Sequence, residues 1–366
     1  MAEPSSLPPE EQDLSTDVLL RHLPRDDQGR PTLGGIPLLR QLGKGAMGAV
    51  YFAKHPRLHV DVAIKVLPIQ LLDRDPSLLA RFRSEARIAA DIGGDHVVKV
   101  FDVGSDSETP YLVMEYVPGE TATAYMRRTG SPGLPEREAL HIMRAALKGL
   151  AVAHEKGIIH RDMKPDNILI PRGELKKAKL ADLGIAKPEN AGVGQTVGTM
   201  ANVAMGTPGF MAPEQAEDAR SAGPPADVFA SGASLYALLT GRAPFRGPSL
   251  AVTLRDTATR EPEPLPTTIS SAVRTIVWRC LHKDPRQRYS NASDLLAAVE
   301  SAFAGPTPAA ETAPTAIAPP RPAPELVPHH GTHVPANATN RRPTSWVAVA
   351  IIVGLIALIV VVLLKH

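Results

Sequence analysis

The sequence predicts an α+β chain with a small antiparallel β lobe carrying one key helix, a larger and mostly helical lobe, and one C-terminal transmembrane helix. Three observations predict it. Residues 36–116 hold β-branched runs broken by glycine turns, with a single helical pattern among them. From residue 136 onward, helical periodicity dominates. Residues 346–364 read WVAVAIIVGLIALIVVVLL, without a charge.

Composition narrows the function classes. The chain of 366 residues has a net charge of only +2, so bulk electrostatics give no reason to expect a nucleic-acid partner. Cys280 is the single cysteine, which excludes an intrachain disulfide and fits a reducing compartment. The opening MAEPSSLPPEEQ has neither the basic nor the apolar segment of a secretory signal.

In order along the chain, residues 1–35 are proline-rich and mildly acidic. They are expected to form a flexible extension, with a short amphipathic helix over 10–22 placing Leu14, Val18 and Leu19 on one side. The folded domain is expected over 36–304, with a small lobe at 36–116 and a large lobe at 117–304. Its first segment, PLLRQLGKGAMGAVYFAKH, reads as strand, glycine turn, strand. Gly43, Gly45 and Gly48 form G-x-G-x-x-G, a weak motif alone because it also opens dinucleotide folds. A dinucleotide site requires a helix after the last glycine, whereas Val50 and its neighbours suit a strand. The loop therefore reads as a flap whose backbone closes over phosphates.

Next, VDVAIKVLP puts Lys65 in an apolar strand, where a cation needs a partner or a ligand. Asp75-Pro76 opens the single helical pattern of the small lobe. Glu85 falls on its inner side if Leu78, Phe82 and Ala89 do, which makes Glu85 the expected partner of Lys65. Strands follow over 97–103 and 111–116. YLVMEYVPGE then breaks at Pro-Gly, where the chain crosses between lobes and exposes main-chain groups to a cleft.

A helix expected over 136–155 delivers the chain to His160–Asn167, HRDMKPDN. This octet places an acid (Asp162), a cation (Lys164) and an amide (Asn167) within eight residues. Such a set suits phosphoryl transfer, where positioning and charge neutralisation do most of the catalysis. In KLADLGIAK, Asp182 follows an apolar strand and precedes a glycine, a natural second metal ligand beside Asn167. Residues 185–213 form a long segment of small residues, a length usually functional or mobile. Helical patterns return within 226–241, 270–283 and 291–304.

Together these motifs resemble the protein-kinase signature set, and most closely the eukaryotic-type (Hanks-type) serine/threonine kinases of bacteria, many of them membrane-anchored. The resemblance covers roughly residues 36–304 and implies the two-lobed protein-kinase fold, with ATP and Mg2+ (Mn2+ as a substitute) as cofactors. On that resemblance, Gly43, Gly45 and Gly48 cover the ATP phosphates within a loop of Leu42, Lys44, Ala46, Met47, Ala49 and Val50. Ala63 and Leu169 are further ATP-binding positions, and Lys65 holds the α- and β-phosphates while pairing with Glu85. Met114 takes the gatekeeper position, and Glu115 and Val117 offer backbone hydrogen bonds. Asp162 orients the substrate hydroxyl and accepts its proton, Lys164 neutralises the transferred group, and Asn167 and Asp182 hold the metal. Asp227 braces the catalytic loop from below, and Glu214 pairs with Arg288 as a structural bridge.

Lys164 and Thr207 follow the serine/threonine pattern. Leu183 replaces the commoner phenylalanine after the metal aspartate and should fill the same space. Ala89 is small and would loosen its helix. Arg161 implies a phosphate acceptor on the activation segment, with Thr196 and Thr199 as candidate phosphosites.

Residues 305–345 are rich in Pro, Ala and Thr and read as a disordered linker. Residues 346–364 are apolar on every face and about 28 Å long as a helix, close to the hydrocarbon thickness. Arg341 and Arg342 before them favour a cytoplasmic kinase domain on a single-pass anchor, with no domain expected beyond. Confinement to a bilayer would favour transient self-association and trans-autophosphorylation. The competing readings are a membrane-anchored pseudokinase or scaffold, and a small-molecule phosphotransferase of kinase-like fold. The complete polar set argues against the first, and the long segment ending in GTPGFMAPE against the second.

Overall fold

In a computed structural model, the described residues are 12–45, 48–68, 78–129, 132–183, 208–218 and 222–304. The small lobe is built on strands β1 (Thr32–Leu33), β2 (Ile36–Gly45), β3 (Gly48–Lys54) and β4 (Asp61–Val66), helix α1 (Leu78–Ala90), and strands β5 (Val100–Asp106) and β6 (Thr109–Glu115). The strands form one antiparallel sheet in the order β1-β2-β3-β4-β6-β5.

The two-residue period of β4 sorts its side chains. Val62, Ile64 and Val66 face one apolar cluster with Leu38, Tyr51 and Val113. Ala63 belongs to the opposite cluster, with Phe82, Ala86 and Ala89 of α1. By the same alternation Lys65 shares the α1 side, and it is nearly buried there. Ala89 is packed in that cluster, 3% exposed.

Residues 12–35 do not form the loose extension expected from their composition. Leu14, Leu20 and Leu23 are buried over the outer face of the sheet, in the cluster of Tyr51 and Ile64. Gln12 donates its N–H to the Leu39 carbonyl (2.8 Å), and Tyr51 donates its hydroxyl to Asp17 (2.5 Å). The expected helix over 10–22 shrinks to a 3-10 turn, Val18–Leu20, capped by the Asp17 carboxylate. Val18 is exposed while Leu20 is fully buried, so sheet contact rather than helical period decides the inward side. The strand expected over 97–103 starts later, at Val100. Val98 donates instead to the Leu180 carbonyl (2.9 Å), and Val97 bridges Leu180, tying this segment to the large lobe.

The large lobe follows with β7 (Gly119–Thr121), α2 (Ala122–Arg128), α3 (Glu136–Glu155), β8 (Ile168–Pro171) and β9 (Lys179–Leu180). β7, β8 and β9 make a small second sheet. Helices α4 (Pro213–Glu217), α5 (Pro224–Thr240), α6 (Leu250–Thr259), α7 (Ser271–Cys280) and α8 (Ala292–Ala304) complete it. α2 and α6 carry no strong apolar period, and the sequence does not announce them. α3 forms over the expected residues. α5 is buried on every side from Ala226 to Leu239 and is the axis of the lobe. It stops at Gly241, whose φ of 76° favours glycine and whose Cβ would strike the Pro132 carbonyl.

Candidate active site

α3 ends with His154 and Glu155, and Gly157 turns the chain with φ 75° into the loop 160–167. That loop is held by Asp227, in the first turn of α5. Its Oδ2 accepts from His160 N (2.7 Å) and from His154 Nε2 (2.9 Å), and its Oδ1 accepts from Arg161 N (2.7 Å). A fully buried carboxylate is costly, and these charge-assisted bonds offset the cost. They also hold Arg161 at φ 60°, a left-handed conformation unfavourable for a side-chain-bearing residue. Neither His154 nor Gln215 stood out in the sequence. Gln215 Nε2 donates to the Arg161 carbonyl (2.7 Å), and His154 Nδ1 accepts from Ala292 N (3.1 Å). Their only signal was a histidine on the inner face of α3 and an amide directly after Glu214.

Above this base, Asp162 Oδ2 lies 3.0 Å from Lys164 Nζ. Asn167 Nδ2 donates to the Asp162 carbonyl (2.8 Å) and to Asp162 Oδ2 (3.1 Å). The three chemical groups of the octet therefore meet at one point. His160 Nε2 contacts the Ala181 carbonyl (3.0 Å), linking the loop to the residue before Asp182. Asp182 has φ 56° and accepts from Lys65 Nζ at 2.7 Å. Burial pushes the Asp182 carboxyl up, but the Lys65 ammonium overrides this and holds it below its ordinary value. Lys65 thus has Asp182 as its partner, and the side chain of its expected partner Glu85 lies outside the described residues. Leu183 is buried in the large-lobe core, as its apolar character requires.

Between the lobes, Leu42, Val50, Ala63, Met114, Val117 and Leu169 come together in one partly open apolar cluster. A flat aromatic ring suits such a slot. At its edge, Glu115 N donates to the Lys99 carbonyl (2.8 Å). The Glu115 N–H is therefore already engaged and does not serve as one of the backbone hydrogen bonds expected of these residues. The Glu115 carboxylate is engaged separately, by Lys179 at 2.8 Å. Over the slot, β2 and β3 pair Gly43 with Val50, Lys44 with Ala49, and Gly45 with Gly48. The motif is therefore a hairpin flap. Gly48, at φ 125°, sits where a Cβ would strike the Val66 carbonyl. Ala46 and Met47 at its tip lie outside the described residues, as do Thr196, Thr199, Thr207 and residues 346–364. Among the described residues, no helix is long and apolar enough to cross a membrane.

Further from the slot, Arg288 makes a two-pronged contact with Glu214, Nη1 to Oε1 at 2.6 Å and Nη2 to Oε2 at 2.9 Å. It also donates to the carbonyls of His282, Lys283 and Pro225.

The donor set fits a hard divalent cation. Asn167 spends its NH2 on Asp162, which leaves its amide oxygen, and Asp182 uses Oδ1 for Lys65, which leaves Oδ2. No group of three or more His, Cys, Asp or Glu side chains suited to a metal occurs among the described residues. Two protein oxygens completed by phosphate oxygens is the usual arrangement for such ions at nucleotide sites.

The family model of the protein kinase domain matches residues 37–300. The chain belongs to the protein kinase family. Among curated proteins, it is 37% identical to the serine/threonine-protein kinase Pkn1 of Myxococcus xanthus, over 74% of this chain and 38% of that one. It is 35% identical to PknA of Mycobacterium tuberculosis, over 85% of this chain and 71% of that one. The crystal structure of the Mycobacterium tuberculosis PknI kinase domain matches with a TM-score of 0.56 and 26% identity, covering 74% of this chain and 97% of that one. The chain matches only 38 to 43% of the length of several relatives, including Pkn1 and the Bacillus subtilis kinase PrkC. The matched domain has the make-up of an ATP-dependent protein serine/threonine kinase.

Proposed function

We propose that the whole chain is a serine/threonine protein kinase that transfers the γ-phosphate of ATP to protein hydroxyls at the cytoplasmic face of a membrane. The carrying observation is the meeting of Lys164 and Asn167 on the Asp162 carboxylate, at 3.0 and 3.1 Å, on the brace of Asp227. Asp162 orients the substrate hydroxyl and takes up its proton. Lys164 offsets the charge that develops on the transferred group. Lys65 exchanges its Asp182 contact for the α- and β-phosphates when nucleotide enters. The apolar slot seats the adenine against Leu42, Ala63 and Leu169. Mg2+, for which Mn2+ can substitute, would be held by Asn167 and Asp182 and would neutralise phosphate charge. Lys164 and Thr207 favour serine and threonine acceptors.

Arg161 supports control by phosphorylation at Thr196 or Thr199, through charge-assisted bonds that order the activation segment. The apolar stretch 346–364 supports membrane attachment, and confinement there supports transient self-association for trans-autophosphorylation. The decisive experiment compares transfer of labelled phosphate to a generic basic protein by the full chain and by Asp162→Asn. Equal transfer by the two would overturn the reading. Mass spectrometry of the active sample after incubation with Mg-ATP tests the phosphosites, and the absence of phosphate from both threonines would remove them.

A further inference from the structure

Helix α3 carries a stripe of basic side chains, the cations Arg137, Arg144 and Lys148 with the neutral His141 among them, that phosphotransfer leaves unused. Arg137, His141, Arg144 and Lys148 recur at steps of four, three and four, which places them along one face. His96, and Lys176 from the 3-10 turn Leu175–Lys177, close a small hollow with His141, Arg144 and Lys148. Some of the surrounding charge is compensated. Arg144 Nε meets Glu300 at 2.8 Å, Lys177 meets Glu174 at 2.6 Å, and Glu138 accepts from the Tyr125 hydroxyl at 2.9 Å. Arg137, Lys148 and Lys176 have no acidic partner among the described residues. Arg137 and Lys176 are exposed, and Lys148 is half-buried. The combined field is felt at His141, held below its ordinary value first by burial and then by Lys176, Arg137 and Arg144.

The chain leaves the folded domain on this same face. α8 lies along α3, with the Phe303 ring 4.7 Å from the His141 ring and Glu300 on Arg144. α8 ends at Ala304, so residues 305–345 and the apolar stretch 346–364 depart from beside the stripe. On the membrane-attached reading, a proline-rich linker of this length reaches at most about 130 Å at about 3.1 Å per residue, so the stripe remains tethered to the bilayer that the apolar stretch enters.

We propose that the face made by Arg137, His141, Arg144, Lys148 and Lys176 rests on the anionic lipid surface beside the anchor. This rests on the membrane-attached reading above. Each cation near an anionic surface strengthens attachment about fivefold, and the tether supplies a high effective concentration. Since α3 leads directly into the loop 160–167, such docking would set how the catalytic cleft faces the bilayer.

The test places the full chain in nanodiscs of phosphatidylcholine alone or mixed with phosphatidylglycerol. Lysine acetylation is read by mass spectrometry, with Lys54 on the small lobe as the internal standard. Acetylation of Lys148 and Lys176 should fall about fivefold in the anionic discs and recover at high salt. Arg137→Glu, an exposed change that leaves the fold intact, should abolish most of that protection. Equal acetylation in both discs overturns the proposal. Protection by soluble polyglutamate but not by anionic lipid also overturns it, and assigns the face to an acidic protein. A chain that fails to enter neutral discs defeats the anchor instead, and added anionic vesicles then still test the stripe. Kinase activity plays no part in the readout.

Discussion

The Asp182 carboxyl, about one third exposed, is held below its ordinary value by Lys65, which stands 2.7 Å away and overrides the opposing effect of partial desolvation. Lys65→Met removes that cation and its hydrogen bond, so the carboxyl should titrate at higher pH, read as the Asp182 13C carboxyl shift. The sign for stability follows from linkage. A depressed folded pKa contributes stability above the unfolded value of 3.8, which is lost as pH falls through the folded value. Lys65→Met should therefore flatten the acid limb of the stability profile, and an unchanged limb would discount the pair. Asp162→Asn removes the proposed proton acceptor while keeping the shape, and phosphate transfer should fall about 100- to 10,000-fold in a steady-state assay. Asn167 and Asp162 were both legible as residues. Their 3.1 Å contact was not, because it depends on the 3-10 turn Pro165–Asn167 folding the amide back.

At the level of elements, the segment 12–33 acts as part of the small lobe. Leu20→Ala, at a fully buried position, should cost about 2–5 kcal/mol in chemical denaturation, whereas an undocked segment would show no change. The Glu214–Arg288 contact ties α4 to the turn before α8. Glu214→Ala strands the fully buried Arg288 side chain and should cost about 3–5 kcal/mol by the same measurement. Lys283 adds a pH-dependent contact between elements. Its Nζ lies 4.0 Å from the Phe245 ring centroid and donates to the Thr257 carbonyl at 2.7 Å. Burial lowers its pKa to about 8 from 10.5. A lysine lowered on folding gives stability that is present above its unfolded value and lost as pH falls through about 8. Thermal melts between pH 7 and 10 should show this rise with pH, and Lys283→Met should remove it.

At the level of the whole molecule, the proposed membrane attachment separates the task of the domain from that of the segment after it. A chain ending after Ala304 should keep phosphate transfer to a basic protein yet autophosphorylate more slowly than the full chain on vesicles. Equal rates at equal surface density would remove the role of confinement. The sequence by itself determined the order of the motifs, the glycine flap, the catalytic octet and the long α3 helix. Each is written in local chemistry: turn residues, apolar period, and acids or amides at short spacing. It did not determine that residues 12–33 close the sheet, that Lys65 meets Asp182, or that His154 and Gln215 hold the loop through Asp227 and Arg161. Those contacts join residues far apart in the chain, and no local pattern records which face of a sheet needs covering or which buried acid needs a donor. Only the packed structure decides them, because burial makes an unpartnered polar group or an uncovered apolar face costly, and the fold answers with whatever residue it brings near.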